Sequence, residues 1–443
     1  MGRLKPQQLL ILSFLCAILI GTIILALPAA TKGEGRLSLV DSLFTATSAT
    51  CVTGLIVQDT GSCFTPLGRW VIFALFQAGG LGIMTFSTLF AVMIGRKLSF
   101  YESDAVTTTL GQHHIFDPGK LITSILGITL TFEALGTALL FFRWRAVTDW
   151  GVLETLERSV FHSVSGFCNA GFSLFRDSLT GFQADPFINI IMIFLIVLGG
   201  IGFLVIMDLM HFFGKKGPAK RLTLQSKIAI TTSCVLILAG AALLLIVERN
   251  NVLAGMTWPE RLLGSFFQSV TARTAGFNTL PIGKLAVPSL LFIIFLMFIG
   301  ASPGSTGGGI KTCTFAVVLA SVTAMFRNRD RAMIFGRSVP RNIIREAMVI
   351  FFLALAWIFA AAILFTHFSG GNDLVRSLFE ITSAFGTVGL STGITGSMNT
   401  ACKLLITATM FVGRLGPLTL MMAVAFGERT DKYIFPQENV MVG

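Results

Sequence analysis

The chain has 443 residues, 53% of them hydrophobic and only 12% charged, about half the charge of a soluble domain. Several apolar runs reach the roughly 20 residues that a spanning helix needs, so the expected class is an all-α polytopic membrane protein and soluble-domain rules for core burial do not apply. The net charge of +11 does not point to nucleic acid, because the basic residues are split among short loops.

In chain order, eight apolar runs qualify as spans: Gln8–Leu27, Trp70–Gly95, Leu121–Phe142, Phe187–Phe213, Ile228–Val247, Leu285–Phe326, Ala347–His367 and Leu404–Phe426. Only the sixth is interrupted, at Gly300–Gly309. The first has a basic start, yet its apolar run is full length, so it reads as a span rather than a cleaved signal. With Arg3 and Lys5 inside, the inner loops carry Arg96, Lys97 and Lys120, then Lys215, Lys216, Lys220, Arg221 and Lys227, then Arg327, Arg329, Arg331, Arg337, Arg341 and Arg345. This positive-inside pattern predicts a multi-pass protein of the cell membrane with both termini cytoplasmic.

Between the spans lie four related stretches: SLFTATSATCVTGL from Ser42, SVFHSVSGFCNAGF from Ser159, SFFQSVTARTAGF from Ser265 and SLFEITSAFGTVGLST from Ser377. They end on Gly54, Gly171, Gly276 and Gly389, a near-regular period of roughly a hundred residues that makes each repeat a supersecondary unit. Each unit reads as helix, pore loop, helix. The expected boundaries are 1–97, 98–214, 215–340 and 341–427, with a cytoplasmic tail at 428–443. Asp41 or Ser42 is placed to cap the first short helix, which at about ten residues reaches only half-way into the hydrocarbon. Non-helical backbone at that depth survives only when protein buries it or water lines it, so four such returns predict a pseudo-fourfold arrangement around one pore.

Seven cysteines, at 16, 51, 63, 168, 234, 313 and 402, include no C-x-x-C pair, and the five histidines form no ligand pair. Buried free thiols are expected, with Cys16 and Cys234 inside apolar runs, and no metal cofactor. Glu133 lies deep in the second unit, where it reads equally as a functional carboxylate or as a helix–helix hydrogen bond to a Ser or Thr. Asp208 is expected at the inner boundary. In the third unit, Gly300-Ala301-Ser302-Pro303-Gly304-Ser305-Thr306-Gly307-Gly308-Gly309, followed by Lys311, cannot continue a helix and reads as a flexible gate. A Walker A loop fails there because Ile310 separates Gly309 from Lys311 and no strand precedes it. Arg414, in mid-helix, should face inward. It then forms an electrostatic barrier beside the gate, anchors the gate loop by hydrogen bonds, or pairs with Glu380.

The four segments are Cys51-Val52-Thr53-Gly54, Cys168-Asn169-Ala170-Gly171, Arg273-Thr274-Ala275-Gly276 and Gly386-Thr387-Val388-Gly389. Rings of backbone carbonyls replace the water of a monovalent cation without trapping it, and carbonyls in succession demand conformations a Cβ disfavours. The glycines fit a selectivity filter, with K+ expected at the carbonyls of Thr53, Ala170, Ala275 and Val388. The short helices point their C-terminal carbonyl ends at the same axis. Only the last segment approaches the T-V-G of tetrameric potassium channels, which predicts one good ring and loose selectivity.

On CVTG, NAGF at Asn169–Phe172, RTAGFN at Arg273–Asn278, SAFGTVGL at Ser383–Leu390, GASPGSTGGGIKT and GRLGPLT, the chain resembles the Trk/Ktr/HKT superfamily of potassium transporters, and within it the Ktr-type membrane subunit. The resemblance covers the whole chain. It implies a channel-like homodimer with one pore per protomer, seated on a cytosolic RCK-type (KtrA-like) ring that binds nucleotide and controls the gate. It also implies K+ as the transported ion and Na+ as an activator. Cys51 and Cys168 follow no presumed family pattern. A sodium-coupled or sodium-selective secondary transporter is the competing reading. A membrane enzyme has no supporting constellation, and no arginine-every-third helix suggests voltage gating.

Overall fold

The computed structural model describes residues 6–32, 37–82, 118–214, 221–371 and 373–424. The unit boundary expected at 97/98, the tail 428–443 and the basic residues Arg3, Lys5, Arg96, Lys97, Lys215, Lys216 and Lys220 lie outside them. The first unit contains α1 (Pro6–Leu25), α2 (Leu39–Thr50) and α3 (Pro66–Leu81). The second contains α4 (Pro118–Val147), α5 (Val152–Phe167), α6 (Pro186–Ile201) and α7 (Phe203–Gly214). The third is α8 (Leu224–Val247), α9 (Trp258–Thr271), α10 (Val287–Phe298) and α11 (Thr312–Phe326), followed by a small hairpin pairing Met333–Ile334 with Arg337–Ser338. The fourth is α12 (Arg341–Phe368), α13 (Leu374–Gly386), α14 (Thr400–Leu415) and α15 (Pro417–Val424).

In every unit the short helix α2, α5, α9 or α13 packs against its own first helix. Each second helix then packs against the short helix of the next unit: α3 on α5, α6 on α9, α10 on α13, and α14 back on α2. The units therefore close into a cycle in chain order. Two junctions carry ion pairs, Arg69–Glu157 at 3.0 Å and Lys403–Asp41 at 2.6 Å. The Phe of each S-x-F motif (Phe44, Phe161, Phe267, Phe379) is buried where these helices meet. This sequence periodicity pulls each short helix inward, away from lipid, through the packing of its aromatic face.

Three sequence expectations are corrected. Among the described residues only the four first helices α1, α4, α8 and α12 are continuous and long enough to cross a membrane. The second runs, read as unbroken except in the third unit, are interrupted in the second, third and fourth units, and in the first α3 ends at Gly82, the last described residue there. α6 and α7 meet at 101°. Gly82, Gly202 and Gly416 have φ of 83°, 98° and 83°, conformations open to glycine, and Pro417 follows the last. Second, the cap of α2 is Ser38, whose hydroxyl accepts from Asp41 N at 3.0 Å, while Asp41 spends its carboxylate on Lys403. Third, Cys16 and Cys234 are exposed on their apolar helices, and burial holds for Cys51, Cys168 and Cys402.

Just before Gly82, Gly202 and Gly416 respectively, Gly79, Gly199 and Gly413 lie against the carbonyls of Thr50, Phe167 and Phe385 at the ends of α2, α5 and α13, where a Cβ would overlap the oxygen. Gly127 in α4 faces open space. Gly199→Val should destabilise by about 1–3 kcal/mol through overpacking. Gly127→Ala should be neutral or slightly stabilising. Thermal unfolding of the two purified variants in detergent checks the contrast.

Candidate functional site

The four glycine segments adopt one backbone conformation. Each glycine has positive φ: 88° at Gly54, 70° at Gly171, 77° at Gly276 and 91° at Gly389. So does the residue two before it: 59° at Val52, 57° at Asn169, 76° at Thr274 and 48° at Thr387. A left-handed non-glycine residue is uncommon, and a β-branched one is an outlier costing about 1–3 kcal/mol. Three of the four are β-branched, at the same place. The residue between the two, Thr53, Ala170, Ala275 or Val388, is not left-handed, so the handedness alternates along each segment. All four segments are buried except at Gly171 and Gly389, which are half-buried.

The glycines meet in the same cyclic order as the helices. A Cβ built on Gly54 would stand 2.5 Å from Ala170 O, on Gly171 3.0 Å from Ala275 O, and on Gly276 2.5 Å from Val388 O. On Gly389 it would overlap Thr53 O. Each glycine thus faces the carbonyl before the next unit's glycine, which brings together the four carbonyls named from sequence. One residue further out, the chain is turned back onto the short helix. Ser48 Oγ donates to Leu55 O at 2.7 Å, Ser165 Oγ to Phe172 O at 2.8 Å and Thr271 Oγ1 to Phe277 O at 2.6 Å.

Beneath this ring lies the interruption of the third unit, residues 300–311. It is irregular but well tied. Ser302 N and Thr306 N donate to the carbonyls of Gly200 and Gly199, Gly304 O accepts from Phe203 N, and Gly300 N pairs with Ile310 O. From the segments above, Thr387 Oγ1 accepts from Gly308 N at 2.9 Å, and Gly307 leaves no room for a Cβ beside Thr274 Oγ1. Lys311 Nζ donates to Gly307 O within its own loop. The interrupted α6–α7 pair is what receives the loop. Gly79, Gly199 and Gly200 are therefore site residues that sequence reasoning missed, although the recurring G-x-x-G at 79–82, 199–202 and 413–416 is a visible signal.

Arg414 does not pair with Glu380. Its guanidinium donates to Thr306 O of the loop and to Gly79 O of the first unit. Of its three sequence readings, this is the hydrogen-bonded anchor. Arg273 is buried, and its guanidinium reaches Gly300 O at 3.4 Å. Glu133 bonds to neither Ser nor Thr through its carboxylate, which accepts from Gln77 Nε2 at 3.0 and 3.1 Å, while Cys168 Sγ donates to Gln77 Oε1 at 3.2 Å. It braces the second segment against α3. Glu380 is fully buried and accepts from Ser391, Thr392 and Thr395. Asp208 accepts from Thr223 N and Oγ1 at an exposed position.

Four units of first helix, half-length helix, glycine segment and second helix, closed into a cycle, define a multi-pass helical membrane protein. The family model TrkH, described as a cation transport protein, matches residues 8–433, and the chain belongs to this family. The membership expected from the motifs is borne out. The chain is 38% identical to the Ktr system potassium uptake protein B of Bacillus subtilis, across all of this chain and 97% of that protein. It is 34% identical to the potassium/sodium uptake protein NtpJ of Enterococcus hirae, across all of this chain and 98% of that protein. The fold matches that of the potassium transporter TrkH of Vibrio parahaemolyticus with a TM-score of 0.72 at 19% identity, covering 93% of this chain and 84% of that one. It is a transporter-family chain, not an enzyme.

Thr387→Val keeps the shape of the segment but leaves Gly308 N–H without its acceptor, a loss of about 1 kcal/mol or more in a buried site. Hydrogen–deuterium exchange over residues 300–311 should rise in this variant, with exchange in α12 unchanged.

Proposed function

We propose that the chain is the channel-like translocating subunit of a potassium uptake system in the cell membrane. The observation that carries this reading is the repeated pair of left-handed residues at each glycine segment. Four chemically different segments share it, at the cost of strain in three β-branched residues. The carbonyls of Thr53, Ala170, Ala275 and Val388 are assigned to a dehydrated K+, and the surrounding ends of α2, α5, α9 and α13 add partial negative charge. Full relatives named for potassium uptake support the choice of ion.

Loop 300–311 is assigned as the gate. Its attachment to Thr387 above, to Gly199 and Gly200 at the side and to Arg414 gives it contacts in two other units, the second and the fourth. Opening then means exchanging those bonds for others rather than releasing a slack segment. The termini are assigned to the cytoplasm. The exposed arginines 327, 329, 331, 337, 341 and 345 are assigned as part of the docking face for a cytosolic nucleotide-binding ring, with the subunit itself paired as a homodimer. A second reading, sodium as carried or coupled ion, is favoured by the relative named for both ions and by the dissimilar segments.

Gly389→Ser places a side chain against Thr53 O. It should lower the K+ over Na+ preference about tenfold, the factor that ~1.4 kcal/mol of lost discrimination produces. Uptake of both ions in a potassium-uptake-deficient bacterium measures it, and an unchanged ratio removes the filter assignment. A wild-type ratio near one would instead favour the sodium reading. Deleting residues 301–308 should raise flux and weaken control by the cytosolic partner. Unchanged or lower flux removes the gate.

A further inference from the structure

After each S-x-F motif of the short helices stands a different residue: Thr45, His162, Gln268 and Glu380. All four are buried. They occupy one structural position, a helical turn before Ser48, Ser165, Thr271 and Ser383. Two of them make the same set of contacts with the strand that leaves the glycine.

In the fourth unit, Glu380 Oε1 accepts from Ser391 Oγ at 2.8 Å, Thr392 N at 2.8 Å and Thr392 Oγ1 at 3.1 Å, while Oε2 accepts from Thr395 Oγ1 at 2.8 Å. Ser391 Oγ in turn accepts from Gly393 N at 2.9 Å. In the second unit, His162 Nε2 bonds Ser173 Oγ at 3.0 Å and accepts from Leu174 N at 3.4 Å. Ser173 Oγ accepts from Phe175 N at 3.0 Å. The other ring nitrogen, Nδ1, donates to Arg158 O at 2.8 Å, so the neutral tautomer with Nε2 as acceptor satisfies every bond. Trp144 and Phe175 pack on the imidazole, with centroids 5.3 and 4.6 Å away.

Counting from each glycine, the two clamps coincide atom for atom: hydroxyl at the second residue, N–H at the third, N–H at the fourth. A carboxylate and an imidazole do one job because each presents an acceptor at the same point. The first and third units lack it. Thr45 Oγ1 turns back to Asp41 O at 2.8 Å, and the second residue after Gly54 is Ile56. Among the described residues neither amide atom of Gln268 has a hydrogen-bond partner, and the residue after Gly276 by the same count is Asn278. The chain-order cycle of the glycines puts the second and fourth units opposite each other.

We propose that Glu380 and His162 are positioning residues for ion selection. They hold the outer strands of two opposite filter segments rigid, while the first and third segments remain the compliant pair. This rests on the filter reading given above. Restraint along one diagonal lets four unlike segments keep one ring geometry, and the size of the carbonyl cage is one of the terms by which such a ring discriminates between ions.

The test uses the full chain in reconstituted vesicles, with K+ and Na+ flux and KM for K+ measured for each variant. Glu380→Ala and His162→Ala should each lower K+ over Na+ preference roughly tenfold, because each removes the acceptor that holds the outer strand. KM for K+ should rise more than maximal flux falls. Glu380→Gln and His162→Gln, which keep an acceptor oxygen, should restore the preference to within about threefold, or ~0.65 kcal/mol. Gln268→Leu and Thr45→Val should leave it unchanged. If an alanine variant does not fold, Ser391→Ala and Ser173→Ala remove the donors instead and should lower the preference in the same direction. Wild-type preference in the alanine or serine variants, or an equal loss in Gln268→Leu, overturns the proposal. Gly389→Ser run alongside separates the two failures: if it too is without effect, the filter reading falls, and if it alone acts, only the clamp falls.

Discussion

An unpaired backbone N–H or C=O inside a bilayer costs several kcal/mol, and the whole architecture depends on how this chain meets that cost away from its four long helices. Each unit sends a half-length helix and a non-helical segment inward, then resumes with a second helix, which breaks in the second, third and fourth units. None of these pieces is self-sufficient. The short helix of one unit is covered by the second helix of the previous one, and the cycle closes when α14 reaches α2. The backbone exposed at one break is bonded by the loop that fills another, as Gly199, Gly200 and Phe203 show with residues 302–306.

Glycine makes this closeness possible in two distinct ways. At 54, 171, 276 and 389 it supplies positive φ and lets four segments converge within a Cβ of one another's carbonyls. At 79, 199 and 413 its φ is ordinary, and the missing side chain instead admits a carbonyl from the end of a short helix. The first use concerns conformation, the second volume. Both let backbone oxygen approach where a side chain would otherwise stand.

Charged groups at depth then act as fasteners. Arg414 ties two carbonyls from separate units. Glu133 secures Gln77 and, through it, Cys168, while Glu380 gathers three residues of its own strand. Each has enough partners to make its burial tolerable, which is the condition under which ionisable residues persist in a membrane. From the sequence, Glu133 read equally as a functional carboxylate or as a helix–helix hydrogen bond to a Ser or Thr, because a Glu in an apolar run has no visible local partner. Its partner Gln77 lies 56 residues away, beyond the reach of any local pattern.

The number of units, the glycine at each segment, the long first helices and the interruption at 300–309 were all legible in the sequence. They arise from local rules: hydropathy length, glycine conformation and the inability of Gly and Pro to continue a helix. The breaks at Gly202 and Gly416 were not, since an apolar run containing one glycine is as compatible with a straight helix as with a bent one. Nor were the left-handed Val52, Asn169, Thr274 and Thr387, whose side chains argue against that conformation. Tertiary contacts decided these points. Strain and helix breaks are sustained only by neighbours from other units, and which neighbours arrive is set by the closing of the cycle.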